Sequence, residues 1–172
     1  MFKRSLLLAA VVAAVPLFAD EGDPVPAPAA PVVMPDGSAV LRGIGRVTLE
    51  VVMSDGVRAE DTELRTDLRD TLELELRRAG VRLADSNSGS PVLRLTVKFD
   101  RGAGRYAARL ILSVKDQVIV TRSRESIVAE IWTAERGASA ALDTALSREI
   151  RSRARDLSGD FTSALRKANG LR

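Results

Sequence analysis

The side chains that most often perform catalysis are missing from this chain. It contains neither His nor Cys, so the usual general base, the commonest metal ligand and every thiol nucleophile are absent. Ser-His-Asp catalysis, cysteine proteases, zinc hydrolases and haem ligation through His are therefore excluded. Disulfides and lipid attachment through a Cys are excluded with them.

Two catalytic routes need neither His nor Cys. A pair of carboxylates about 5 to 9.5 Å apart across a cleft can hydrolyse glycosides, and the acids are densest on one predicted helix, opposite its leucines. A Ser-Lys nucleophile would need Lys98, Lys115 or Lys167, and no motif surrounds them. No clustered Asp-x-Asp-Gly loop is present for an oxygen-ligated metal. We expect no enzyme, no metal and no cofactor. The candidate acids for a glycosidase, on the predicted helix 61–79 and just before it, are Glu60, Asp61, Glu63, Asp67, Asp70, Glu73 and Glu75.

Gly102-Ala103-Gly104 resembles part of a phosphate-binding loop, but it lies between two predicted strands and precedes no helix. A dinucleotide fingerprint needs a strand followed by a helix, so a hairpin turn is the better interpretation.

The isoelectric point near 9.8 does not indicate a nucleic-acid partner. Without Lys3 and Arg4, which lie in a predicted export signal, 24 basic residues stand against 23 acidic ones. Single-strand binding also needs aromatic platforms, and only four aromatic residues follow the signal. We expect no nucleic-acid partner.

Four residues are candidates for contact with a partner: Trp132, Arg148, Arg151 and Arg155. Trp is enriched in interface hot spots, although Trp132 packed against the carboxy-terminal helix is the favoured interpretation. Residues 136–172 carry eight bases and four acids, so their helix could touch an anionic membrane surface weakly or present an ordinary solvated face.

The amino-terminal segment is typical of an export signal. Lys3 and Arg4 precede an apolar run that is too short for an ordinary membrane-spanning helix, and Pro16 and Ala19 suit a cleavage site. Residues 1–19 are therefore predicted to be a signal peptide, with an uncleaved anchor or a core helix as alternatives. Residues 20–40 form an acidic, Pro-rich tether, predicted to be disordered, or else a docking peptide. Residues 41–172 are predicted to form a single domain.

The periodicity of apolar residues predicts an α+β fold. Alternating apolar residues indicate strands, and apolar residues at intervals of three and four indicate two amphipathic helices. The order β-α-β-β-β-β-α favours a two-layer sandwich, a mostly antiparallel sheet of four to five strands with both helices on one face. A bulge is expected at Lys115-Asp116 and a kink or break at Gly159. The predicted strands are 46–53, 81–84, 92–99, 106–121 and 127–134, and the predicted helices are 61–79 and 139–167.

The segments LRRAGVRL, PVLRLTVKF, YAARLILSV and EIWTAE, followed by an amphipathic helix, are similar to those of small uncharacterised exported bacterial proteins. The layout over residues 46–167 also loosely resembles the small domains of Tol translocation proteins, curli-secretion proteins and penicillin-binding-protein activators. This resemblance implies an envelope interaction role and transfers no site residue. Outer-membrane members of those groups carry a lipidated Cys, which this chain lacks.

We therefore expect an exported, non-catalytic envelope protein, a protein-interaction or assembly module that binds an envelope protein. It would be periplasmic or secreted after cleavage, or anchored in the inner membrane through residues 5–19. A small-ligand or lipid carrier, using space between sheet and helices, and a carboxylate hydrolase are the alternatives. An edge strand in the hairpin of residues 106–121 is the expected docking element.

Overall fold

The computed structural model describes residues 37–54, 57–59, 61–85, 88–102 and 105–170. The predicted signal peptide and the tether up to residue 36 lie outside these residues. After a 3-10 turn at Ala39–Leu41, the elements are β1 (Arg46–Ser54), α1 (Asp61–Arg78), β2 (Arg82–Leu83), β3 (Val92–Gly102), β4 (Arg105–Ile119), β5 (Ser126–Ala140) and α2 (Asp143–Ala168).

The α+β fold class and the order β-α-β-β-β-β-α are confirmed. The five strands lie in the order β2-β1-β3-β4-β5. The long pairings of β3 with β4 and of β4 with β5 are antiparallel, whereas β1 runs parallel to both β2 and β3. The parallel pairings arise because α1 carries the chain back along the sheet before β2 and β3 begin.

The core is built from the apolar stripes that the sequence shows. In β3 every second side chain faces the helices, which leaves the alternate side chains on the outer face of the sheet. The leucines of α1 recur every four residues, so they form one face that packs against the sheet and α2. The core side chains contributed by the helices are Leu64, Leu68, Leu72, Leu76, Leu146, Ile150, Ala154, Leu157, Phe161 and Leu165.

The boundary between β5 and α2 differs from the sequence prediction. β5 continues to Ala140, where it pairs with Tyr106, so α2 begins at Asp143 rather than at Ser139. The residues between 134 and 140 are mostly small and have little preference of their own, and the full length of β4 offers them a pairing partner.

The bulge and the Gly159 break had different outcomes. The bulge is confirmed, since the register between β4 and β5 shifts between Val114 and Lys115 and leaves Ile131 as the extra residue of β5. The predicted break is wrong, because α2 continues as one helix through Gly159, and a kink there stays a prediction. Core residues on both sides of Gly159, such as Leu157 and Phe161, hold the helix in place.

Candidate functional site

Trp132 lies on the helix side of β5. Its ring meets the ring of Phe161 edge-on, with centroids 5.4 Å apart and an interplanar angle of 61°. It is partly buried and packs against the core, as the core interpretation expected. Its contact with a partner stays a prediction.

The three candidate arginines lie along α2, and two of them, Arg151 and Arg155, lie on the side that faces α1. Arg151 forms an ion pair with Asp67 of α1, so it joins the two helices. Arg155 is exposed and lines a groove of about 170 Å³ beside Glu75 of α1. Arg148 is also exposed. Arg151 and Arg155 thus lie on the α1 side of α2, and Trp132 packs against Phe161 of α2. The roles of the four candidate residues as partner contacts stay predictions.

Three of the exposed acids of α1 form ion pairs with arginines. Asp67 pairs with Arg151, Glu73 with Arg69 and Glu75 with Arg78. Their side chains are between 25% and 49% exposed. Glu60 lies outside the described residues. These carboxylates lie on a single helix, so they do not face each other across a cleft as glycoside hydrolysis needs.

Asp61 belongs to a buried ion-pair network at the start of both helices. The Arg101 guanidinium donates two hydrogen bonds of 2.7 Å to its carboxylate, and the two side chains are 5% and 7% exposed. Arg101 Nε also reaches Asp143 at the start of α2, at 3.3 Å. The guanidinium carbon lies 4.0 Å from the ring centroid of Phe99, which suits a cation–π contact. The end of β3 is therefore tied to the amino-terminal ends of α1 and α2.

The network keeps Asp61 ionised. Hydrogen bonds from Arg101 lower the pKa of the Asp61 carboxyl, burial opposes this, and a hydrogen bond from the Arg58 backbone lowers the pKa further. The same pairing raises the pKa of Arg101. A carboxylate held in its charged form does not suit a general acid. Asp61 was predicted among the acids opposite the leucines, and this placement is wrong, because its carboxylate is buried against Arg101. No sequence signal linked these two residues.

β4 and β5 extend beyond the rest of the sheet as a two-stranded arm, residues 116–129. Lys115 is the last residue of β4 that pairs with β3, and from Asp116 onward β4 pairs with β5 only. The arm exposes apolar side chains: Ile119 is 72% exposed, Val128 74% and Ile127 45%. A hydrogen bond of 2.8 Å from the Val120 N–H to the Glu125 carbonyl closes its turn.

A cleft of about 740 Å³ lies beside the base of the arm. Three arginines line it: Arg42, Arg46 and Arg82, together with the Ser88–Ser90 segment and Asp116. Arg46 and Arg82 are direct partners in the pairing of β1 with β2. Arg46 was predicted as the start of a strand, but no sequence signal indicated that Arg82 would lie opposite it.

Two features, a membrane-spanning helix and a metal-binding cluster, are absent from the residues that the structure describes. None of their helices is long and apolar enough to cross a membrane. No group of three or more His, Cys, Asp or Glu side chains that could hold a metal ion occurs among them.

No protein-family model matches this chain, and no curated protein matches it. Among solved structures, it is similar to a minor lipoprotein from Acinetobacter baumannii, with 22% identity over 72% of this chain and 92% of that one and a TM-score of 0.38. A hypothetical protein from Chlamydia trachomatis has 13% identity over 69% and 94%, with a TM-score of 0.42. The PelC dodecamer from Paraburkholderia phytofirmans has 17% identity over 70% and 88%, with a TM-score of 0.41. Because these TM-scores are below 0.5, we take no functional argument from them, and the resemblance to Tol, curli and activator domains stays a prediction.

Proposed function

We propose that this chain is an exported, non-catalytic envelope protein that binds a partner protein through its arm. Export rests on the signal pattern of residues 1–19 and is part of the proposal. The observation that carries the binding role is the projection of residues 116–129 beyond the sheet with Ile119 and Val128 exposed.

The arm is expected to be only marginally stable when it is exposed to water on all sides. A two-stranded ribbon is marginally stable on its own in water, and exposed apolar side chains there gain nothing from solvent. Contact with a partner removes that surface from water at about 25 cal/mol per Å². The apolar exposure of the arm therefore favours a contact surface.

The arm also has open strand edges. β5 ends the sheet, and the part of β4 beyond Lys115 has no β3 beside it. Strands that end a sheet are commonly protected by bulges and charges, and β5 carries its bulge at Ile131, with Glu130 and Glu135 on either side of it. This protection lies closer to the body of the sheet than the apolar part of the arm. An extended segment of a partner could add to the arm by strand pairing.

The alternatives receive less support. A lipid carrier needs space between sheet and helices, and the centre of that space is filled by fully buried side chains such as Leu72, Leu95 and Leu157. A cavity of about 300 Å³ lies at one end of it, beside Val81 and Leu165. A carboxylate hydrolase needs two acids that face each other across a cleft. The acids of α1 lie on a single helix, and Asp67, Glu73 and Glu75 pair with arginines. These placements and the missing His and Cys support the proposal of a non-catalytic role.

Photo-crosslinking tests the proposal. A photoreactive residue is placed at Ile119 or Val128 in the full-length protein expressed in its own cells, and the control position is Leu142. Leu142 is also apolar and 65% exposed, but it lies after the far end of β5. We expect a discrete protein adduct at the two arm positions and none at Leu142. With the photoreactive residue at Ile127 instead, which is 45% exposed, we expect the double variant Ile119→Ser/Val128→Ser to lose the adduct. The same adducts at all three positions, or none at the arm, would contradict the proposal.

Amino-terminal sequencing of the exported protein tests the cut after Ala19. A chain that still begins at Met1 would favour the alternative in which residues 5–19 anchor the protein in the inner membrane. The arm would then bind its partner while the protein remains attached to that membrane.

A further inference from the structure

Two arginines face each other at the edge of the sheet without an acid between them. Arg46 of β1 and Arg82 of β2 are direct partners in a parallel pairing, where neighbouring strands lie about 4.8 Å apart. The Arg82 N–H donates to the Gly45 carbonyl at 3.1 Å, so the backbone fixes this pairing. Directly opposed like charges destabilise a sheet. Among the described residues neither arginine forms an ion pair.

Direct partners point to the same side of a sheet. The residues that follow them, Val47 and Leu83, pack into or against the core, so Arg46 and Arg82 both point to the outer face. Both are exposed and both line the cleft at the base of the arm. The two guanidiniums therefore share one open space.

The remaining walls of the cleft suit an oxyanion. Arg42 adds a third positive charge, and Asp116 is the one acid among the residues that line the cleft. Ser88 and Ser90 supply hydroxyl groups, which already hydrogen-bond each other at 2.9 Å. Gly89 between them has a φ of 66°, a left-handed conformation that glycine adopts without strain. This tight turn brings both hydroxyls to the cleft.

The number of donors distinguishes between anions. One guanidinium fork already satisfies the two oxygens of a carboxylate. Two forks and two hydroxyls instead match a tetrahedral group with three terminal oxygens and a charge near −2. We propose that this cleft binds a phosphate monoester, which relieves the repulsion between Arg46 and Arg82. The monoester could be a free small molecule or the headgroup of a lipid, since both present the same oxygens.

Calorimetric titration of the full-length protein with glycerol phosphate tests this site. We expect saturable binding, and we expect Arg46→Gln and Arg82→Gln each to weaken it by about tenfold or more, because each removes charge-assisted hydrogen bonds. The matched control is Arg65→Gln, since Arg65 is also exposed and lies on α1, away from the cleft. It should bind as the wild type does.

Vesicles distinguish the two sources of the phosphate. Phosphatidylcholine vesicles with and without phosphatidic acid are compared in a flotation assay. Binding of glycerol phosphate indicates that a free monoester suffices. Binding only to vesicles with phosphatidic acid, weakened by the same two substitutions, identifies the lipid headgroup.

Thermal unfolding without ligand shows that the variants fold and tests the repulsion directly. We expect Arg46→Gln to unfold at the same temperature as the wild type or slightly higher. Glycerol phosphate should raise the midpoints of the wild type and of Arg65→Gln by similar amounts, and that of Arg46→Gln by less. The proposal is overturned if neither probe binds, if Arg65→Gln weakens binding as much as Arg46→Gln does, or if Arg46→Gln lowers the midpoint.

Discussion

Replacing Arg101 by Met breaks the network that joins β3 to both helices. The methionine keeps much of the arginine stem and leaves the Asp61 carboxylate, whose side chain is 7% exposed, without its guanidinium. Removing one partner of a buried ion pair costs about 3 to 5 kcal/mol, because the remaining charge stays out of water. Asp143 is 35% exposed and the Arg58 N–H still donates to Asp61 at 2.7 Å. Both facts place the expected cost at the lower end, about 3 kcal/mol.

Urea unfolding at pH 7, followed by circular dichroism, measures this cost. The matched control is Arg109→Met, because Arg109 makes the same two-bond contact with Glu135 but the two side chains are 60% and 47% exposed. Water and salt screen exposed ion pairs, which contribute little to stability, so the control should lose little. In a thermal scan Arg101→Met should lower the midpoint by about 10 °C. A loss below about 1 kcal/mol, or a loss equal to that of Arg109→Met, would refute the reasoning that burial gives this network its strength.

The other two predictions concern pH and the aromatic contact. Arg101 lowers the pKa of Asp61 in the folded protein below its ordinary value of 3.8. Asp61 therefore stabilises the fold at pH values above its pKa in the unfolded chain. This stabilisation is lost as the pH falls through the lower pKa of the folded protein. The unfolding free energy of the wild type should therefore fall below about pH 5, and Asp61→Asn should show a smaller fall; equal slopes in a pH series of urea unfolding would contradict this. Phe161→Ala should cost about 3 to 5 kcal/mol and shift the emission of Trp132, the single Trp of the chain, to longer wavelength. Phe161→Leu should do both to a smaller extent, and an unchanged Trp132 spectrum in Phe161→Ala would count against the contact.

Most of the framework could be predicted from local patterns. The leucines of α1 and the alternation of Leu93, Leu95 and Val97 in β3 each fit one period only, so helix and strand were distinguishable. These residues also form the core, because the same periodicity that marks an element also defines its buried face. The register shift between β4 and β5 was signalled by the charged Lys115-Asp116 inside an apolar run.

The boundary at Asp143 and the two charged clusters could not be predicted in the same way. The residues before Asp143 are small, and their strand conformation depends on pairing with β4 rather than on their own preference. Arg101 and Asp61 are 40 positions apart, so their contact exists only once the fold has formed. The Arg46–Arg82 pair depends on the register of a two-residue strand, and a shift of one position would have placed Arg82 on the opposite face.

The arm and the cleft meet at Asp116, which begins the arm and also lines the cleft. They are nevertheless expected to act separately, because the exposed Ile119 and Val128 lie farther along the arm and do not line the cleft. The variant Ile119→Ser/Val128→Ser should therefore lose the protein adduct and keep the glycerol phosphate affinity of the wild type. Arg46→Gln should do the reverse. If either variant lost both activities, the arm and the cleft would form one surface for one phosphorylated partner, and the two proposals would have to be merged.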